Sequence, residues 1–191
     1  VGEGQALGNL ASAHLLLDDY PTALEYYKQG LVIARALGDR RDEGIHLGHI
    51  GVAQQLLGDL DEATQSLEEA TRIAREVGNR RGESLTLGNL GRVLFQLGDL
   101  ERATERYDQA LEIAQELGER RSECTFLGNL GNLCQLQGDH ARAMTLFTSA
   151  LEIAKETGNP RSEGLTRGNI GDLHLSQSDL KAADHELREA I

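Results

Sequence analysis

Aromatic residues make up only 4% of this 191-residue chain, and its 19 lysines and arginines are outnumbered by 31 acidic residues, for a formal net charge of −12. Nucleic-acid binders usually need a basic face or stacking rings, so no nucleic-acid partner is expected. Long apolar runs are missing too. None approaches the roughly 20 residues that span a bilayer, and no basic-then-apolar leader opens the sequence, so a soluble protein with no membrane partner is expected. There are two cysteines, Cys124 and Cys134. On one helix they would lie about 15 Å apart, too far for a disulfide. Reduced thiols and a cytoplasmic location follow as expectations.

What the chain has in quantity is repetition. Leu7-Gly8-Asn9-Leu10 returns as Leu47-Gly48-His49-Ile50, Leu87-Gly88-Asn89-Leu90, Leu127-Gly128-Asn129-Leu130 and Arg167-Gly168-Asn169-Ile170, a period of 40 residues. The five copies run 1–40, 41–80, 81–120, 121–160 and 161–191. A fixed period of this size denotes a stacked array in which no unit buries its apolar face alone. The expectation is one domain over 1–191 with a long open surface, suited to binding before catalysis.

Each copy holds two stripes of helical period. Leu7, Leu10, Ala11, His14 and Leu17 recur at spacings of three and four, as do Leu87, Leu90, Gly91, Leu94 and Leu97, and each set predicts one buried face of a first helix. Breaks follow at Asp18-Asp19, Gly58-Asp59, Gly98-Asp99, Gly138-Asp139 and Ser178-Asp179. Glycine there suits a helix C-terminus, and aspartate the next N-cap. The second helix carries Ala23, Tyr27, Gly30, Leu31 and Ala34, matched by Ala103, Tyr107, Ala110, Leu111 and Ala114, and stops at Gly38, Gly78, Gly118 and Gly158.

The set Leu90, Gly91, Gly98, Ala103, Tyr107 and Ala110 resembles the tetratricopeptide signature, and the resemblance covers the whole chain. It implies an all-α solenoid of five helical hairpins wound into a right-handed superhelix. The usual unit of about 34 residues places a proline after its second helix; here Arg35, Arg75, Gln115 and Lys155 stand in that place, so the resemblance is to the long-repeat branch. The recurrent Leu-Gly-Asn is similar to that of the Pins-type polarity adaptors and, more loosely, of kinesin light chain and bacterial peptide-sensing regulators. These families bind peptides in a concave groove. The resemblance therefore implies a scaffold that binds a peptide segment of a partner protein. The alternatives are a sensor domain of a larger signalling ATPase or transcription regulator, and a solenoid that self-assembles as a homo-oligomer through open ends.

Turning about 100° per residue around the first helix sets positions 5, 9, 12 and 16 away from the core stripe. That second face should line the groove: Gln5, Asn9, Ser12 and Leu16, then Ile45, His49, Val52 and Leu56, then Leu85, Asn89, Arg92 and Gln96, then Thr125, Asn129, Asn132 and Leu136, then Leu165, Asn169, Asp172 and Ser176. Asparagine amides donate and accept together, so Asn9, Asn89, Asn129 and Asn169 can pair with an extended backbone, His49 being the one departure. This matches the asparagine ladder of the peptide-binding families; the competing reading is that the amides tie one helix to the next. Asn89 and Asn129 would clamp the backbone, while Val52, Leu56, Leu85, Arg92 and Leu136 select side chains. The face is nearly neutral, and the net acidity of the chain would favour encounter with basic partners.

Other patterns read as structural. The glycine stripe along the first helices lacks the lysine and preceding strand of a phosphate loop and is expected to serve close helix packing. Arg40, Arg41, Arg80, Arg81, Arg120, Arg121 and Arg161 flank helix ends beside Glu43, Glu83, Glu123 and Glu163 and should pair with them. His46 and His49 lie three apart without further ligands, which predicts a solvated face and no metal site. His14, His174 and Cys134 share one position, toward the core. No nucleophile–base set stands out, so no enzyme and no cofactor are expected. Copy five, with Arg167 for leucine and Gln177-Ser178 for Leu-Gly, reads as a terminal unit.

Overall fold

The structure, a computed structural model, describes residues 2–190. Among them are ten α-helices and no strand: α1 (Gly2–Leu16), α2 (Tyr20–Leu37), α3 (Arg40–Leu57), α4 (Leu60–Glu76), α5 (Arg80–Gln96), α6 (Leu100–Glu116), α7 (Arg120–Leu136), α8 (His140–Glu156), α9 (Pro160–Ser176) and α10 (Leu180–Glu189). Odd-numbered helices are the first helices of the copies and even-numbered ones the second, as the period predicts.

The turns explain this regularity. Gly38 takes φ 68° and donates its N–H to the Arg35 carbonyl, while Asp39 N–H reaches Ala34, so the last carbonyls of α2 are satisfied as the chain reverses. Asp39 then caps α3 by accepting from Asp42 N–H at 3.0 Å, and Asn79 caps α5 from Gly82 N–H at 3.0 Å. Where the glycine is missing, Asp18 (φ 58°) and Ser178 (φ 63°) adopt the same left-handed turn with a side chain attached.

The helices form two compact units, one up to Arg106 and one from Tyr107, with the division inside α6. In the first unit Ala11, Ala23, Tyr27, Ile50, Ala70 and Ile73 form a core of α1, α2, α3 and α4. In the second, Cys134, Ala143, Phe147, Ile170 and Leu173 do the same for α7, α8 and α9. Both cysteines are buried free thiols, and burial pushes each thiol up.

The first helices bury more than the predicted stripe, and not all of it. Leu87, Leu90 and Leu94 are buried, but Leu97 is 44% exposed and Leu17 is 76% exposed. This position lies past the last full turn, beside the left-handed residue, where the chain already faces solvent. Leu10 is also exposed, at 41%. Its equivalents Ile50 and Leu90 are buried at 4% and 2%, because a first helix packs on its own hairpin partner and on the preceding second helix. The same double contact buries Ala53, Val93 and Leu173, which the single stripe omits.

Two further expectations need correction. His46 is not on a solvated face: it is 4% exposed, and its imidazole fills the space left by the missing side chain of Gly30, where a Cβ would lie 2.3 Å from its Cε1. Nor do all stripe glycines serve close packing. A Cβ at Gly51 would meet Leu67 at 2.6 Å and one at Gly131 would meet Phe147 at 2.4 Å, yet one at Gly128 or Gly168 would meet nothing within 4 Å.

The arginine–glutamate pairing has a specific form. Glu43 and Glu83 are buried at 6% and 4%. Glu43 accepts from Arg35 at 2.9 Å and Arg40 at 2.5 Å; Glu83 accepts from Arg75 at 2.6 Å and Arg80 at 2.7 Å. Each carboxylate thus fastens the end of one hairpin to the start of the next. Burial pushes the Glu43 carboxyl up, but the two guanidinium groups outweigh it and hold it below its ordinary range. In the second unit Glu123 takes Gln115 at 3.2 Å and Arg120 at 2.7 Å. In copy five Arg167 replaces apolar packing with ion pairs to Glu163 at 3.2 Å and Glu186 at 2.8 Å.

Candidate functional site

Within the first unit a cavity of about 370 Å³ opens between α3 and α5. Ile45, His49 and Val52 of α3 form one wall, Leu85 and Asn89 of α5 the other, and α4 supplies Ile73 and Ala74, with Val77 just past its end. Ile45 and Leu85 are 42% and 48% exposed, so apolar surface stands open to a ligand. Small residues make the room: Gly48 and Ala70 line the cavity where larger side chains would fill it. Thr71 and Thr86, whose hydroxyls lie 2.9 Å apart, satisfy each other at its edge. Arg41 and Arg81 are the charged lining residues, with no carboxylate among the lining.

A second cavity, about 300 Å³, lies on the other side of α3 and shares Ile45 and His49 with the first. Its remaining lining is mostly polar: Gln5, Asn9 and Ser12 of α1, with Asp42 and His46 of α3. His49 stacks on Tyr27, ring centroids 4.9 Å apart and planes at 12°, and the Tyr27 hydroxyl lies 2.9 Å from Ser12 Oγ. Although His49 keeps an exposed edge, desolvation, followed by the adjacent His46, holds its imidazole below the ordinary range. Desolvation does the same for His46, against a smaller opposing effect of Asp42. Both rings are therefore neutral near pH 7, able to donate from one nitrogen and accept at the other.

In the first unit the residues predicted for the groove are divided between the two cavities and open surface. His49, Val52, Leu85 and Asn89 line the first cavity, and Asn9 and His49 the second. Leu56 is 44% exposed. Arg92 is also exposed but already engaged: it donates to Gln55 Oε1 at 3.0 Å and to Asn89 Oδ1 at 3.2 Å, while Gln55 donates to Gln96 at 2.7 Å. This chain of polar contacts ties α3 to α5 beside the cavity. Among the described residues, Asn89 is the one amide of the asparagine row with a side-chain hydrogen bond, and it still has its NH2 to offer. In the second unit Asn129, Asn132 and Asn169 are half-buried and Leu136 is 64% exposed. The contribution of α4 was missed, since its apolar positions read only as core. The sequence pattern places Ile45 on this face, but it gives no sign of Arg41 and Arg81 in the wall.

Among the described residues no group of three or more histidine, cysteine or acidic side chains is placed to hold a metal ion, and no helix is long and apolar enough to cross a membrane. What the face can do chemically is bury an apolar side chain and hydrogen-bond a backbone beside it.

The sequence matches the profile described as Tetratricopeptide repeat in four overlapping segments, residues 2–76, 45–116, 82–156 and 121–191. A search of curated protein sequences returns no match. Among solved structures, the chain is similar to BtubC (BKLC) from P. vanneervenii, with 24% identity, a TM-score of 0.86, and 97% of this chain covering 77% of that one. It is similar to a Rap protein complexed with competence and sporulation factor, at 16% identity and TM-score 0.83, covering 98% of this chain and 54% of that one. It is also similar to the Signal Transduction ATPase with Numerous Domains protein with a tetratricopeptide repeat sensor from Pyrococcus horikoshii, at 19% identity and TM-score 0.83, covering 97% of this chain and 29% of that one. At these identities the likenesses establish the fold.

Proposed function

The chain belongs to the tetratricopeptide repeat family, and we propose that it is a non-enzymatic interaction module that holds an extended segment of a partner protein on its first-helix face. An apolar side chain of that segment enters the cavity between α3 and α5, while His49 and Asn89 pair with its backbone. The observation that carries this reading is the cavity itself: apolar walls, half-exposed Ile45 and Leu85, and two groups beside them that donate and accept. Asn129, Asn132, Leu136 and Asn169 present the same chemistry from the second unit. The complex of the similar Rap protein with competence and sporulation factor supports a peptide as the ligand class. A reducing compartment such as the cytoplasm suits the two buried thiols.

The similarity to the tetratricopeptide sensor of a signalling ATPase favours a second reading, in which the same face reports ligand capture to an output domain. Peptides selected from a random display library on the purified chain test the first reading. Leu85→Glu, and separately His49→Ala with Asn89→Ala, should lower their affinity at least tenfold while the circular dichroism melt stays unchanged; undiminished binding refutes the site.

A further inference from the structure

The two cavities flanking α3 have opposite chemistry. The first has apolar walls with Arg41 and Arg81 and no carboxylate. In the second, among the described residues, the one charged lining side chain is the carboxylate of Asp42, accompanied by the Gln5 and Asn9 amides and the Ser12 hydroxyl. His46, 4% exposed, also lines it, and its buried Nδ1 has no hydrogen-bond partner. Resting on the reading above, we propose that the second cavity takes a basic side chain, lysine or arginine, of the same bound segment. The segment is then read at two adjoining subsites, basic against Asp42 and apolar between α3 and α5.

Three physical points converge on a basic residue. A lysine or arginine brings donors and no acceptor, which suits a lining of carboxylate, amide and hydroxyl oxygens. The guanidinium group of Arg41 repels the same side chain from the first cavity, so order along the segment is fixed by charge. Burial keeps His46 and His49 uncharged, so neither cancels Asp42. The spacing is also defined. Ile45 and His49 belong to both cavities, so a chain crossing α3 meets one and then the other. Packed helices lie about 8–10 Å apart, which an extended backbone covers in roughly three residues. A partner bearing a basic and an apolar residue about three positions apart fits this face.

The test is a positional-scanning library of capped, fluorescently labelled octapeptides, bound to the intact 191-residue chain and read by polarisation. The expected result is selection of an apolar residue at one position and of lysine or arginine over glutamine, by at least fivefold, about three positions away. Asp42→Asn should erase the basic preference and leave the apolar one; Asp42→Glu should keep both. Raising salt on the wild-type chain should weaken the basic preference alone, a readout independent of any variant's folding. Apolar selection without a basic preference, or a basic preference that survives Asp42→Asn or is indifferent to salt, overturns this inference and leaves the groove reading standing. No selection at any position overturns both.

Discussion

Gly30→Ala is the sharpest probe of how the first two copies are joined. The added Cβ would lie 2.3, 2.7 and 2.8 Å from Cε1, Nε2 and Nδ1 of His46. The imidazole fits between Gly30 and Gly8 and borders the second cavity, so to admit the Cβ it would have to tilt away and give up its fit at this junction. Overpacking of this kind costs about 1–3 kcal/mol, while replacing a mid-helix glycine by alanine gains about 0.5–1 kcal/mol. The central values leave a net loss of about 1 kcal/mol. Two of the other copies suggest the compensation: Ala70 stands with Thr86 and Ala150 with Thr166 where this junction has Gly30 with His46, while the remaining one has Ala110 with Phe126. Gly30→Ala with His46→Thr should therefore recover wild-type stability or exceed it, because it also removes the unpartnered buried Nδ1. The coupling between the two substitutions should be on the order of 2 kcal/mol. Urea unfolding by circular dichroism gives the cycle. Native-state hydrogen exchange on α1, α2 and α3 reports the junction itself, since repeat arrays can open locally. A Gly30→Ala variant as stable as wild type would refute the packing argument.

Three further outcomes follow from other contacts. His46 and His49 both titrate below the ordinary 6.5 when folded, so the unfolded chain binds more protons in mild acid. Their contribution is complete above about pH 6.5 and is lost as pH falls below it. The urea midpoint should drop between pH 7.5 and 5.5, less so in the Gly30→Ala, His46→Thr variant, and equal pH dependence in both chains would contradict this. Ser178→Gly relieves a left-handed residue (φ 63°) and should stabilise the second unit by about 0.5–1 kcal/mol; a lower melting temperature would contradict it. Glu83→Gln removes the buried carboxylate shared by Arg75 and Arg80, whose side chains are 52% and 45% exposed. Solvent can take up those cations, so the cost should be about 1–2 kcal/mol, and a neutral effect in urea unfolding would contradict the fastening role.

Much of the architecture was legible because it is local. Glycine turns, Asp and Asn caps and the two helical stripes are properties of adjacent residues, and the arginine–glutamate fastening lies within eight positions along the chain. The failures are non-local. A helical wheel assigns an angle to Leu10 or Val93 without saying which other helices approach from that side, so it buries Leu10 and leaves out Val93. His46 looked solvated because the space it fills belongs to Gly30, on another helix. The outward face of His49, Leu85 and Asn89 followed from the wheel. The cavity did not, since Ile73 and Ala74 of α4 and the following Val77 contribute to it and Arg92 is committed to Gln55, 37 positions away.

The measurement that bears most directly on peptide capture is backbone amide NMR of the intact chain titrated with the tightest peptide from the random display library. Shift changes should concentrate on α3 and α5, around His49, Leu85 and Asn89, and be lost on Leu85→Glu. Changes confined to the outward faces of the second helices, around Glu68 and Arg72 for example, would contradict it.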